Sequence, residues 1–220
     1  MNDFAPAPEY ARLAQAGITI RAVALAASHA GAQASTPSPA SPPPAGRATA
    51  DAENEPGEDL RWVLATEQPA RVFDWERWDL VDEVLLIDGL RPAGKQIPLL
   101  DSHNRCSASD LIGSVVLDGQ EMVKNYNALM GRVRFSQASE LARETAAKVA
   151  EGHLTDGSIG YRVLKSVWIP EGESAQIRGK IYNGPLKVST KAELLEFSIT
   201  PIGADNLAKV RGLKACASRN

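Results

Sequence analysis

The chain has 220 residues, with 24 Lys and Arg against 27 Asp and Glu and a formal net charge of −3. That length suits one domain with or without a tail, and scattered basic residues matched by acids argue against a nucleic-acid-binding surface. Two cysteines, Cys106 and Cys216, make no disulfide framework, and with three histidines they do not support a structural zinc site, so no metal and no cofactor is expected.

Residues 8–27 carry a weak helical pattern through Tyr10, Leu13, Ile18 and Ile20. The apolar stretch 18–34 ends in Ala-Gln-Ala, but Arg21 interrupts it and it starts late for an export signal. No apolar run approaches the roughly 20 residues needed to span a bilayer, so no membrane partner is expected. Residues 31–58 are nearly all Ala, Pro, Ser, Gly and charged residues, with Pro37, Pro39, Pro42, Pro43 and Pro44 close together. Such a segment has too little apolar surface to offset the entropy of ordering it, and 1–58 reads as a flexible N-terminal segment. The globular domain is expected over 59–210, with 211–220 as a soft tail or a truncated link to a further segment.

Within the domain, 60–66 and 83–87 are rich in Val, Leu and Ile and read as strands. Residues 112–117 form another, closed by the turn signal Asp118-Gly119. Over 129–135, Leu129, Gly131, Val133 and Phe135 alternate with Arg132 and Arg134, the pattern of a half-buried strand. The period then lengthens. Ser136 is a candidate N-cap, Ala138, Leu141, Ala142, Ala146 and Val149 follow at helical spacing, and Gly152 suits the position just past the helix end. A strand is expected over 158–168, a polar loop over 170–184, and a last strand over 193–200. In that strand Leu195, Phe197 and Ile199 point one way, and Leu194, Glu196, Ser198 and Thr200 the other. The fold class expected is mostly β with helices (α+β): an antiparallel β-barrel-like core decorated by helices.

Three residues could carry chemistry. His103 follows the apolar strand end Leu99-Leu100, and its free pKa, about 6.5, suits general-base work. Taken alone, a surface loop histidine is the commoner case. Ser158 lies in Thr-Asp-Gly-Ser-Ile-Gly-Tyr, between Gly157 and Gly160 at a strand start. A serine hydroxyl is a poor nucleophile until a base takes its proton. Asp156 stands where a Gly-x-Ser-x-Gly elbow needs glycine, and a strand follows instead of a helix, so an α/β-hydrolase is excluded. Taken alone, Ser158 is more often a turn serine. Glu196 shares a strand face with Ser198, and a carboxylate inside a domain needs a partner, such as a histidine ring N–H or solvent. His153, Asp101, Asp156 and Cys106 are weaker candidates. The four tryptophans, Trp62, Trp75, Trp78 and Trp168, read as core or groove residues.

The order of these elements is more telling than any one of them. Pro-Leu-Leu-Asp-Ser-His-Asn-Arg at 98–105 is followed by Gly-Arg-Val-Arg-Phe-Ser at 131–136, then a helix, then Ser-Ile-Gly-Tyr-Arg-Val at 158–163. Last comes Glu-Leu-Leu-Glu-Phe-Ser-Ile-Thr-Pro-Ile-Gly-Ala at 193–204. This series resembles the HK97-type prohead (capsid-maturation) serine proteases of tailed phages, a group similar in fold to the herpesvirus assembly proteases. The resemblance covers most of 83–210. It implies His103 as general base, Ser158 as nucleophile and Glu196 as the group that orients the histidine. The herpesvirus relatives use a second histidine at that third position, and His153 does not lie in the matching motif. The resemblance further implies a herpesvirus-protease-like fold and an endopeptidase that cleaves a capsid protein's scaffolding segment and itself, the 31–58 linker being an accessible place for self-cleavage. Partners would be the major capsid protein and further copies of the chain. The place of action would be the procapsid in the host cytoplasm. Arg162 is a candidate oxyanion donor. The rival expectations are a non-catalytic capsid-assembly or scaffold protein keeping the same fold, and an unrelated soluble hydrolase.

Overall fold

The computed structural model describes residues 18–20 and 60–211. In chain order the strands are β1 (Ile18–Ile20), β2 (Leu60–Thr66), β3 (Ala70–Asp74), β4 (Asp79–Leu85), β5 (Leu90–Pro92), β6 (Ile97–Asp101), β7 (Leu111–Val123) and β8 (Tyr126–Phe135). Helix α1 (Glu140–Ala150) follows, then β9 (Asp156–Ile169), β10 (Ser174–Ile177), β11 (Lys180–Asn183) and β12 (Leu186–Thr200). Short 3-10 turns lie at Ile87–Gly89 and Ala108–Asp110.

One ten-stranded sheet carries the fold, in the order β1-β9-β12-β6-β7-β8-β2, with β3, β4 and β5 attached off that path. The long strand β12 is its spine. It pairs antiparallel with β9, and along its other edge it pairs parallel with β4, β5 and β6 in succession. The expected mostly β class with helical decoration holds, with one α-helix among the described residues, but the antiparallel barrel-like core is corrected: the sheet is mixed and is not closed into a barrel. The gap between β2 and the start of β9 is bridged by 208–211. Ala208 O accepts from Gly157 N at 2.9 Å, Lys209 O accepts from Val63 N at 3.0 Å, and Val210 N donates to Thr155 O at 3.1 Å. The buried Asp205 holds this segment by accepting from Thr66 N, Thr66 Oγ1 and Leu207 N.

The core lies inside the curl. Trp62, Leu64, Leu85, Ile87, Leu99, Ile112, Val115, Ile159, Tyr161, Leu194 and Phe197 meet there, and α1 adds Ala142 and Val149. Trp62 meets Phe197 edge to face, with ring centroids 5.6 Å apart. The alternation expected over 129–135 holds, with Leu129 and Val133 in this core and Arg132 and Arg134 exposed. The helix is capped one turn later than expected: Ser139, not Ser136, accepts from Ala142 N. Gly152 stands just past the helix end with φ 82°, a conformation only glycine takes without strain.

Four further expectations change. Asp118-Gly119 does not end a strand but makes a bulge inside β7, which turns into β8 at Lys124 and Asn125, both at positive φ. The loop expected over 170–184 contains the β10–β11 hairpin, closed by Arg178 and Gly179 at φ 50° and 82°. Two consecutive positive φ values match the twist of paired strands. Residues 18–20 are a strand, not helix, and the rest of 8–27 lies outside the described residues, as do 31–58, Cys216 and the tail from 212. Finally, a bulge at Leu195 moves Leu194 into the core with Phe197 and Ile199, leaving Leu195 half-buried.

Away from the core, Asp74 and Lys187 form a buried ion pair at 3.1 Å, and Asp74 also accepts from the amides of Glu76 and Arg77. Burial pushes the Asp74 carboxyl up, but the Lys187 ammonium and the two amides more than offset this and hold it below its ordinary value. A depressed carboxyl stabilises the fold above its unfolded pKa, near 4, and loses that contribution as pH falls through the folded value. Lys187→Met should therefore cost about 3–5 kcal/mol in urea unfolding at pH 7. The loss should shrink as pH falls through the folded value of Asp74, where the carboxyl takes up its proton. Equal losses above and below that value would contradict this account.

Candidate functional site

Three strands and one loop converge on the sheet face opposite the core. In the β9–β12 ladder Ser158 lies across from Ser198, and Gly160 lies across from Glu196. Directly paired residues project to the same face, so Ser158, Glu196 and Ser198 share one side, while Ile159 and Phe197 share the other. On the far edge of β12, Ser198 pairs with Leu100 of β6. The chain leaves β6 through Ser102 and His103, both in the left-handed region at φ 49° and 63°. That turn brings His103 back over β12. It is held there by its own amide, which donates to Ser198 Oγ at 3.0 Å. Non-glycine residues in this region cost free energy and persist where surrounding contacts hold them.

The result is a compact polar cluster. Glu196 is 2% exposed, and its Oε1 lies 2.7 Å from His103 Nδ1 and 3.0 Å from Arg105 Nη2. Its Oε2 accepts from Ser198 Oγ at 2.8 Å. A carboxylate this buried is tolerable only when its oxygens are satisfied, and here both are. A carboxylate only accepts, so Nδ1 is the donor in this contact, and in the neutral imidazole Nε2 is then the acceptor. His103 Nε2 is buried and has no hydrogen-bond partner among the described residues. A buried, unsatisfied acceptor is uncommon in a folded protein and calls for a reason.

Each residue singled out in the sequence can now be placed. His103 and Glu196 are in direct contact. Ser158 is on the same face, across the ladder from the Ser198 that accepts from the His103 amide, and is 3% exposed. A Ser158–His103 Nε2 hydrogen bond is not formed in this structure. Asp156 belongs elsewhere: burial raises its carboxyl, but hydrogen bonds from Lys209, Thr155 and the Gly203 amide outweigh that and leave it below its ordinary value. Asp101 accepts from Ser102 Oγ, Cys106 is exposed, and His153 is an exposed residue 3.6 Å from Glu151. Arg162 lies four residues along β9 from Ser158 and is paired with Glu193 at 3.5 Å. No group of three potential metal ligands occurs among the described residues, and none of their helices is long and apolar enough to cross a membrane.

Sequence reasoning missed Arg105 and the bridging role of Ser198. The signals were present: Arg105 is two residues past His103, and Ser198 is on the Glu196 face. Gly160 matters for a reason its flexibility does not supply. A Cβ there would overlap the Glu196 carboxylate and the Arg105 guanidinium. No protein-family model, no curated protein and no solved structure matches the chain.

Gly160→Ala should destabilise the protein by roughly 1–3 kcal/mol in urea unfolding, because the cluster must spread to admit a methyl group. Gly94→Ala, at an exposed position where a Cβ would make only an ordinary contact with Gln96 O at 3.6 Å, should stay within about 0.5 kcal/mol. Equal costs at the two positions would show that the cluster is not tightly packed.

Proposed function

We propose that the chain is a serine endopeptidase of the capsid-maturation type, with His103 as general base, Ser158 as nucleophile and Glu196 as the group that orients the base. The observation that carries this reading is the state of His103: Nδ1 is bound to a buried carboxylate, and Nε2 is buried and unpartnered on the face that holds Ser158. A triad base needs that tautomer and that free lone pair. The resemblance carried by the motifs at 98–105, 131–136, 158–163 and 193–204 supports the choice of substrate class.

In this reading Ser158 Oγ attacks a peptide carbonyl carbon while its proton passes to His103 Nε2. The imidazolium, stabilised by Glu196, then protonates the leaving amine. Water activated by the same nitrogen releases the acyl group and restores Ser158. The substrate is the scaffolding segment of a major capsid protein and the chain itself, inside a procapsid in the host cytoplasm. Strand addition suits such a substrate, because an extended main chain pairs with a sheet edge regardless of sequence. The β9 edge at Gly160–Arg162 already carries β1 in this manner, antiparallel. A substrate entering there replaces β1.

A second reading has one observation in its favour. Ser158 is nearly buried and its hydrogen bond to His103 is not made, as in a non-catalytic capsid-assembly or scaffold protein that keeps this fold. Co-expression with the cognate capsid protein separates the two. The wild-type chain should shorten the capsid protein, and Ser158→Ala and His103→Gln should leave it intact. Glu196→Gln should slow processing by about 10²–10⁴-fold, because the wrong tautomer is then favoured. An intact capsid protein in the wild-type culture refutes the protease reading, and processing by Ser158→Ala refutes the nucleophile.

A further inference from the structure

The acid partner of His103 is shared. Glu196 Oε1 accepts from His103 Nδ1 at 2.7 Å and from Arg105 Nη2 at 3.0 Å, so one carboxylate oxygen serves an imidazole and a guanidinium together. The Arg105 side chain is only 23% exposed, and its Nε is buried without a partner, so water screens this charge weakly. A guanidinium is always protonated, whereas the imidazole beside it has a choice.

We infer that Arg105 is a positioning residue that clamps Glu196 and holds His103 neutral, ready to accept a proton, at physiological pH. This role rests on the protease reading for its purpose and on geometry for its substance. An isolated carboxylate at 2.7 Å favours the imidazolium and leaves the base already protonated. A cation on the same oxygen cancels much of that pull. The neighbouring groups do not replace it: Ser198 on β12 and Ser158 and Gly160 on β9 carry no charge, and Asp101, at the end of β6, accepts from the neutral Ser102 hydroxyl and supplies no cation. The clamp also explains why position 160 admits no side chain, since a Cβ there would meet both Glu196 and Arg105.

The test is an NMR titration of the His103 imidazole in the full chain. Arg105→Gln should raise its pKa by about one to two units, because Glu196 is then uncompensated. Arg105→Lys, which keeps the charge, should stay within a few tenths of a unit of wild type. Arg105→Met, which keeps the aliphatic stem against the sheet, should reproduce the rise if Arg105→Gln folds poorly. In a processing assay the acid limb of kcat/KM should move up by the same amount in Arg105→Gln and stay put in Arg105→Lys. An unchanged or lowered His103 pKa in Arg105→Gln and Arg105→Met overturns the inference. The titration needs no substrate. A shifted pKa without processing by the wild type defeats the protease reading alone, and processing with an unshifted pKa defeats the role of Arg105 alone.

Discussion

The antiparallel ladder between β9 and β12 is the constraint from which the site follows. It sets Ser158 opposite Ser198 and Gly160 opposite Glu196, and it sends Ile159, Tyr161, Leu194 and Phe197 to the core. Side chains alternate with a period of two, so a one-residue slip would exchange the two faces. The bulge at Leu195 keeps both faces in phase: an extra residue lets Leu194 and Phe197 face the core while Glu196 and Ser198 stay together on the other side. A fault in this ladder would bury the wrong residues and disperse the cluster in one step.

The ladder also explains how a carboxylate can be tolerated at 2% exposure on the spine of the sheet. Glu196 has a partner on every side: Ser198 two residues along its own strand, and His103 and Arg105 on the loop leaving β6. That loop is bound to the same strand through the His103 amide and Ser198 Oγ. Removing any one of these groups leaves a buried polar atom of another unsatisfied, so the cluster behaves as a unit. A comparable logic operates further along β12, where buried Glu83 accepts from Tyr161 and Ser189, and Lys187 meets Asp74. One strand thus runs between two buried polar groups. Of the two, only the first leaves a ring nitrogen without a partner among the described residues.

Much of this was legible in the sequence, and the failures have physical causes. The alternation over β8, the helix ending at Gly152 and the polar face of Glu196 and Ser198 follow from side-chain period, which local sequence encodes. The choice of β12 as the spine does not. Parallel pairing with β4, β5 and β6 joins residues about a hundred positions apart, and nothing local announces it. The Leu195 bulge was invisible for a related reason: the period over 193–200 looks regular, and only the partner strand reveals the extra residue. The hairpin at β10–β11 was lost because its strands are only four residues each and bury only Tyr182, which composition cannot tell from a loop. At the site, the meeting of His103 and Glu196 was implied by the family resemblance, whereas Arg105 as a third member needed the folded structure.

Activation of Ser158 by His103, as proposed, is open to a direct chemical test. Reaction of the full chain with a fluorophosphonate, followed by peptide mass spectrometry, tests it most directly. Attack by a serine oxygen on phosphorus expels fluoride and leaves a stable adduct, and the rate depends on the base. The account predicts a single adduct on Ser158 in the wild type and its loss in His103→Gln. An adduct on another residue, none at all, or one on Ser158 formed equally fast without His103 would contradict it.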